Sequence, residues 1–276
     1  MIPTAPQIAC LMYHEVTDDP TSTGLQRHSA RAYTVAPRAF VEQLARIEHA
    51  GRSPERIDRV NLAQPGQHLM LSFDDGGRSA LDVGELLARR GWPAHFFVVT
   101  GSIGGRTFVD ADGIRTLRQQ GHVVGSHSHS HPDILPDLPR EKILEEWRAS
   151  RDALEQLLGE RVTAASVPGG DLSGAVIATA CEAGFQYLFT SEPWLAPRRS
   201  GSCWLLGRVC IKARYEPRTI DALVRFRGWR MARVERGLKW LARVGLAPVY
   251  RRYVGWSTRP SGVRKAPMAA VRVEKA

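Results

Sequence analysis

Several features that would place this 276-residue chain in a familiar class are scarce or missing. No run approaches the roughly 18 consecutive apolar residues of a membrane-spanning helix. Met1 to Tyr13 has no positive segment followed by an apolar stretch and a cleavage site, so export by the usual signal is not expected. The four cysteines, Cys10, Cys181, Cys203 and Cys210, are scattered and lack the Cys-x-x-Cys spacing of a zinc knuckle. Lying among apolar neighbours, they read as buried thiols, which suits a reducing compartment and a cytoplasmic location. No internal repeat occurs. No nucleic-acid recognition motif occurs either, and no nucleic-acid partner is expected.

What is present is unevenly distributed. From Arg208 onward there are 18 Lys and Arg against 4 Asp and Glu, a net of +14, whereas residues 1 to 207 carry 20 against 24, a net of −4. A basic C-terminal third suits nucleic acid, an anionic membrane or an acidic polymer, and composition does not choose among them. With 43% apolar residues the chain can bury one substantial core.

Short apolar runs rich in β-formers alternate with segments of helical period. Strands are predicted at Ile8 to Tyr13, Leu69 to Phe73, Ala94 to Val99, His122 to Ser126, Ala164 to Val167, Gln186 to Thr190 and Val209 to Ala213. Helices are predicted at Pro37 to Ala50, Ser79 to Arg90, Gly113 to Gln120, Arg140 to Leu158 and Gly174 to Ala183, each followed by a glycine suited to a C-terminal cap. This alternation implies an α/β fold: a distorted or incomplete (β/α) barrel of about seven parallel strands, with its chemistry on loops after the strands.

Two polar clusters stand at such places. Leu69-Met70-Leu71-Ser72-Phe73 runs into Asp74-Asp75-Gly76-Gly77. Adjacent carboxylates leaving a strand point in different directions, so one can bind an ion while the other faces the water which that ion activates. Alone, the same residues also describe a strand-to-helix turn. His122 to Ser126 runs into His127-Ser128-His129-Ser130-His131. Imidazoles four residues apart on one turn can converge on one centre, and the outer pair, His127 and His131, flanks the turn while His129 should project elsewhere. A plain His-rich loop is the competing description.

Leu71-Ser72-Phe73-Asp74-Asp75-Gly76 resembles the first motif of the polysaccharide deacetylases, the NodB-homology group of carbohydrate esterases, and His127-Ser128-His129-Ser130-His131 is similar to their second. Leu11-Met12-Tyr13-His14-Glu15-Val16 and Phe96-Phe97-Val98-Val99-Thr100-Gly101 also look like that family, and the likeness runs roughly from Ile8 to Lys212. The resemblance implies Asp74 as general base and Asp75, His127 and His131 as ligands of a divalent ion, zinc by default. It implies hydrolysis of N-acetyl groups on an amino-sugar glycan, in cell-surface or exopolysaccharide metabolism. Ser166-Val167-Pro168-Gly169-Gly170 stands where the family has Arg-x-Pro-x-Gly, so Pro168, Gly169 and Gly170 are expected at the substrate. Ser166 replaces the arginine that steadies the catalytic aspartate, and Arg208 is a candidate substitute.

No histidine follows His131, where the family often ends its barrel with Leu-His. The chain is therefore expected to be a variant lacking that late catalytic histidine, with His14 as a candidate acid. The alternative is a catalytically impaired carbohydrate-binding protein that retains the metal cradle.

Residues 1–215 are assigned to the deacetylase-like domain, 216–256 to a basic amphipathic helical extension and 257–276 to a disordered tail. In Thr219 to Val244, Ile220, Leu223, Val224, Met231, Val234, Leu238 and Leu241 recur at largely helical spacing among Arg225, Arg230, Arg233, Arg236 and Arg243. Such a helix either packs on the barrel or lies on an anionic bilayer, peripheral to the inner face of the membrane, with Phe226, Trp229 and Trp240 near the headgroups.

Overall fold

A computed structural model of the chain describes residues 4–19, 21–25, 27–245, 252 and 254–258. Its strands are β1 (Pro6–Tyr13), β2 (Glu15–Val16), β3 (Thr34–Val35), β4 (Gly66–Phe73), β5 (His95–Val98), β6 (Val123–Ser126), β7 (Ala164–Ser166), β8 (Tyr187–Phe189), β9 (Arg198–Ser200), β10 (Cys203–Leu206) and β11 (Val209–Cys210). Its helices are α1 (Pro37–His49), α2 (Ser79–Ala88), α3 (Ala111–Gln119), α4 (Arg140–Leu158), α5 (Gly174–Glu182), α6 (Pro217–Val224) and α7 (Trp229–Gly245).

Nine strands form one mixed sheet in the order β11-β1-β4-β5-β6-β7-β8-β10-β9. Its seven central strands, β1 to β10 in that order, are parallel; β11 adds a short parallel edge and β9 an antiparallel one. The sheet curls without closing into an incomplete half-barrel, as the strand count implied. Both faces are covered, so β1 and β4 read as nearly unbroken apolar runs. Alternate side chains divide between two clusters: Ala9, Leu11, Leu71, Phe96 and Val98 pack among the helices, while Ile8, Cys10, Met70, Phe97 and Phe189 fill the other face.

Two boundaries differ from expectation for local reasons. α3 begins at Ala111 rather than Gly113 because the Asp110 carboxylate accepts the Gly113 N–H at 2.8 Å and caps the first turn. The last predicted strand, Val209 to Ala213, shrinks to two residues at an edge, and the seventh central strand is instead β10, which sequence periodicity did not single out.

The C-terminal helical pattern is broken. Phe226 and Gly228 take left-handed φ of 62° and 78°, ending α6 and starting α7. Trp229, expected near a membrane surface, is instead buried, its indole N–H donating to the Leu223 carbonyl at 3.0 Å. Phe226 packs against the core, which Ile220, Leu223 and Val224 join. The side chain of Trp240 and the tail from residue 259 onward lie outside the described residues. No described helix is long and apolar enough to cross a membrane.

Cysteine usage also requires correction. Cys181 of α5 and Cys203 of β10 form a disulfide across 22 positions, their Cα atoms 5.5 Å apart. Two of the four expected thiols are thus paired; Cys10 is a buried thiol and Cys210 a half-buried one.

Candidate metal centre and active site

β1 and β4 pair in register to their ends, Tyr13 opposite Phe73, so His14 and Asp74 leave the sheet side by side. The Asp74 N–H extends the ladder by donating to the Tyr13 carbonyl at 3.0 Å. The chain then turns abruptly, with Asp75 at φ 76° and Gly76 at φ 75°. A Cβ on Gly77 would lie 1.7 Å from Glu15 Oε1, so the second glycine is required by the close approach of that buried carboxylate. Three of the four described non-glycine residues with positive φ, Asp75, Ser128 and His131, lie at this site, where strain is held by its surroundings.

The surroundings of the histidine loop are serines and one remote glutamate. Ser126 Oγ accepts the Ser128 N–H at 3.1 Å, and Ser128 Oγ accepts the His131 N–H at 3.1 Å. Glu146 of α4 accepts the N–H groups of His129 and Ser130 at 2.9 and 2.8 Å and the Ser130 hydroxyl at 2.6 Å. The alternating serines were legible as polar spacers, whereas nothing local in the sequence marks Glu146. His129 turns away, its Nδ1 3.0 Å from Thr100 Oγ1.

Asp75, His127 and His131 converge with one ligand atom each, all within 4.8 Å of one another, and all three residues are buried. Nε2 of His127 and of His131 lie 3.3 and 3.7 Å from Asp75 Oδ1. His127 Nδ1 lies 2.5 Å from Ser166 Oγ and 3.2 Å from the Ser166 carbonyl. A carbonyl can only accept, so this contact favours the Nδ1–H tautomer and turns the Nε2 lone pair toward a carboxylate. Lone pairs facing one another across a buried site call for a cation between them. A two-imidazole, one-carboxylate donor set fits zinc and similar borderline ions and leaves further positions open.

The electrostatics agree. Burial raises the Asp75 carboxyl, but positive charge at the surrounding His127, His14 and His131 positions, the place a bound cation would take, outweighs it and holds the group below its ordinary value. Burial pushes His131 down to about 3, keeping its imidazole neutral and able to ligate. Its Nδ1 is buried without a hydrogen-bond partner among the described residues.

The expectation of a histidine-deficient variant is overturned by this centre: the triad is intact, with both histidines and the aspartate in place.

Beside the triad, Asp74 Oδ2 lies 4.0 Å from His127 Nε2. The fully buried Arg208, following β10, donates from both terminal nitrogens to the two Asp74 oxygens at 2.7 and 2.9 Å. Its Nε donates to the Thr190 carbonyl at 2.9 Å, and Nη1 also reaches Ser72 Oγ at 3.2 Å. Phe97 and Phe189 flank the guanidinium, 5.6 and 5.9 Å from its carbon. Burial pushes the Asp74 carboxyl up, yet the Arg208 charge, supported by His127 and His14, holds it below its usual range. Arg208 thus supplies the charge that Ser166 does not, and Ser166 instead orients a candidate ligand.

These groups open into a cleft of about 220 Å³. His14 lines it, its ring against Tyr33 at 5.1 Å and its buried Nδ1 without a partner among the described residues. Gly169 and Gly170 also line it, in left-handed conformation at φ 61° and 70°; Pro168 is buried and is not part of the lining. The remaining buried histidines are structural: His95 bridges the Leu71 carbonyl and the Ile57 N–H, and His122 bridges the Ala94 N–H and the Gly84 carbonyl.

Residues 61–188 match the family model described as polysaccharide deacetylase. A chitooligosaccharide deacetylase from Bradyrhizobium sp. (strain ANU 289) is 33% identical over 135 residues, which cover 46% of this chain and 58% of that protein. The chain spans about half the length of the curated relatives it matches. A polysaccharide deacetylase from Bacillus cereus superposes with a TM-score of 0.69 at 19% identity, covering 80% of this chain and 69% of that one. A Streptococcus pyogenes deacetylase solved with acetate gives 0.68 at 21% identity, covering 79% and 97%. At these identities the structural likeness is one of fold.

Proposed function

We propose that the protein is a metal-dependent N-deacetylase of the polysaccharide deacetylase family, acting on an amino-sugar glycan of cell-surface or exopolysaccharide metabolism. The observation that carries the reading is the buried, arginine-paired Asp74 beside the Asp75–His127–His131 triad. A divalent ion held by that triad, zinc in our reading, would supply Lewis acidity toward water and the amide carbonyl. Asp74, kept ionised by Arg208, takes the proton of the attacking water. The Gly169–Gly170 backbone faces the substrate, and His14 acts in its imidazolium form, giving its own proton to the leaving amine while Asp74 keeps the proton of the water.

Acetate release from N-acetylglucosamine oligomers is the test. Asp74→Asn should lower the rate by at least about 10²-fold while retaining its metal, because the amide cannot accept the proton. Turnover retained in that variant would remove Asp74 from the role of base. Glycan binding by the wild type without acetate release would favour the non-catalytic alternative.

We also propose that the outward face of α7 touches an anionic membrane surface. Met231 and Val234 are 73% and 57% exposed, and each directly follows an exposed arginine, Arg230 and Arg233. Apolar side chains flanked by cations suit acidic headgroups. Vesicles of phosphatidylglycerol and phosphatidylcholine should co-sediment the protein, and neutral vesicles should not; Arg230→Glu with Arg233→Glu should abolish the difference. Equal recovery with both lipids would refute the contact.

A further inference from the structure

α7 lies outside residues 61–188, the segment that matches the family model, yet its inner face supplies Ala232, Glu235 and Arg236 to the wall of the cleft. Arg236 joins two loops. Its Nη2 donates to the Gly170 carbonyl at 2.5 Å and its Nε to Glu192 Oε1 at 2.9 Å. Lys212 and Glu235 form a neighbouring ion pair that ties the helix to the chain just after β11.

Both loops bear on Asp74. The Glu192 carbonyl accepts the backbone N–H of Arg208 at 2.9 Å, and two residues earlier the Thr190 carbonyl accepts Arg208 Nε. The Pro168–Gly170 turn leans on the same loop: a Cβ on Gly170 would sit 2.6 Å from Ser191 Oγ. A continuous path of contacts therefore runs from α7 through Arg236, Glu192 and Arg208 to Asp74. An ordinary surface ion pair would do little here. Arg236 differs because it and Glu192 are each only 24% exposed and because its second arm is spent on a backbone carbonyl at the cleft.

We propose that Arg236 is a positioning residue, a latch through which the C-terminal helix completes the active site by fixing the glycine turn and the loop that holds Arg208. The kinetic part of this proposal rests on the deacetylase reading; the structural part does not. Hydrogen exchange has local reporters, since Gly170 N–H donates to the Val167 carbonyl and Trp194 N–H to the Glu192 carbonyl.

The test uses the full chain, exchange mass spectrometry without ligand, and steady-state acetate release. Arg236→Ala should speed exchange in residues 168–171 and 190–194 together and lower kcat about tenfold to hundredfold, with a smaller change in KM. Arg236→Lys, which can keep the Glu192 pair but lacks the fork to reach both acceptors, should recover protection of residues 190–194 and part of kcat. It also serves as the second variant should the alanine form not fold. Val41→Ser, at an exposed position of α1, should match the wild type. Unchanged exchange in both segments overturns the latch, as does an unchanged kcat in an active enzyme. Raised exchange in a protein whose wild type releases no acetate supports the latch and rejects the deacetylase reading.

Discussion

The two sides of the cleft are built in opposite ways. The metal side is local: Asp75 follows its strand by two residues, and His127 and His131 share one serine-laced turn. The guanidinium side is assembled over distance, Arg208 reaching Asp74 across 134 positions and itself held by a loop from β8. The metal side converges three donors on a space for a cation, whereas the other side brings its own cation and buries it with its partner. A site that needs one ionised base beside a metal gains from separating the two, because the base's charge then does not depend on the ion.

This comparison can be broken experimentally. The largest expected effect is at Arg208, since Arg208→Met leaves Asp74 as an uncompensated buried charge. It should cost roughly 3–5 kcal/mol in denaturant unfolding and remove activity, while zinc affinity stays near the wild-type value. A loss of zinc equal to the loss of stability would show that the two sides are not separable. Next is Ser166→Ala, which removes only the hydroxyl that orients His127. Zinc affinity, measured by competition with a chromogenic chelator, should fall about 10- to 100-fold with little change in unfolding free energy. Unaltered affinity would show that the Ser166 carbonyl alone fixes the ring.

The smallest effect concerns Glu15, which shows how far the local side is itself propped from elsewhere. It accepts the Gly24 N–H at 2.5 Å and the Ser79 hydroxyl, and crowds Gly77 behind the aspartates. Burial, only partly offset by those hydrogen bonds, pushes its carboxyl up to about 7 from 4.5. The folded state then binds a proton more tightly than the unfolded state, so this contribution is fully present below about pH 4.5 and is lost as pH rises through about 7. Chelator-treated Glu15→Gln should lack that decline, and the difference from wild type between those pH values should be on the order of 1–3 kcal/mol. Parallel stability curves for the two proteins would show that Glu15 does not carry the decline.

The parts that could be read from sequence share a short range. Short apolar runs gave six of the seven central strands, and Asp74-Asp75-Gly76 and His127 to His131 gave the cradle, because strand propensity, turn chemistry and ligand spacing act within a few residues. His14 could be placed after its strand, but only the register of β1 against β4 sets it beside Asp74. Arg208 could be named as a candidate only because a nearer arginine was missing at Ser166. Glu146, Glu192 and Arg236 carried no local signal at all.

The amino-acid sequence by itself determined six of the seven central strands, the turn after β4 and the three side chains able to hold an ion. Tertiary structure decided the rest: the pairing of Asp74 with Arg208, the Cys181–Cys203 bond, β10 as a central strand and the break at Phe226 and Gly228 that swings α7 onto the cleft. The physical reason lies in range. A motif needs only neighbouring backbone to bring its side chains together, whereas a buried ion pair between distant segments exists only once the sheet between them has formed and excluded water from both charges.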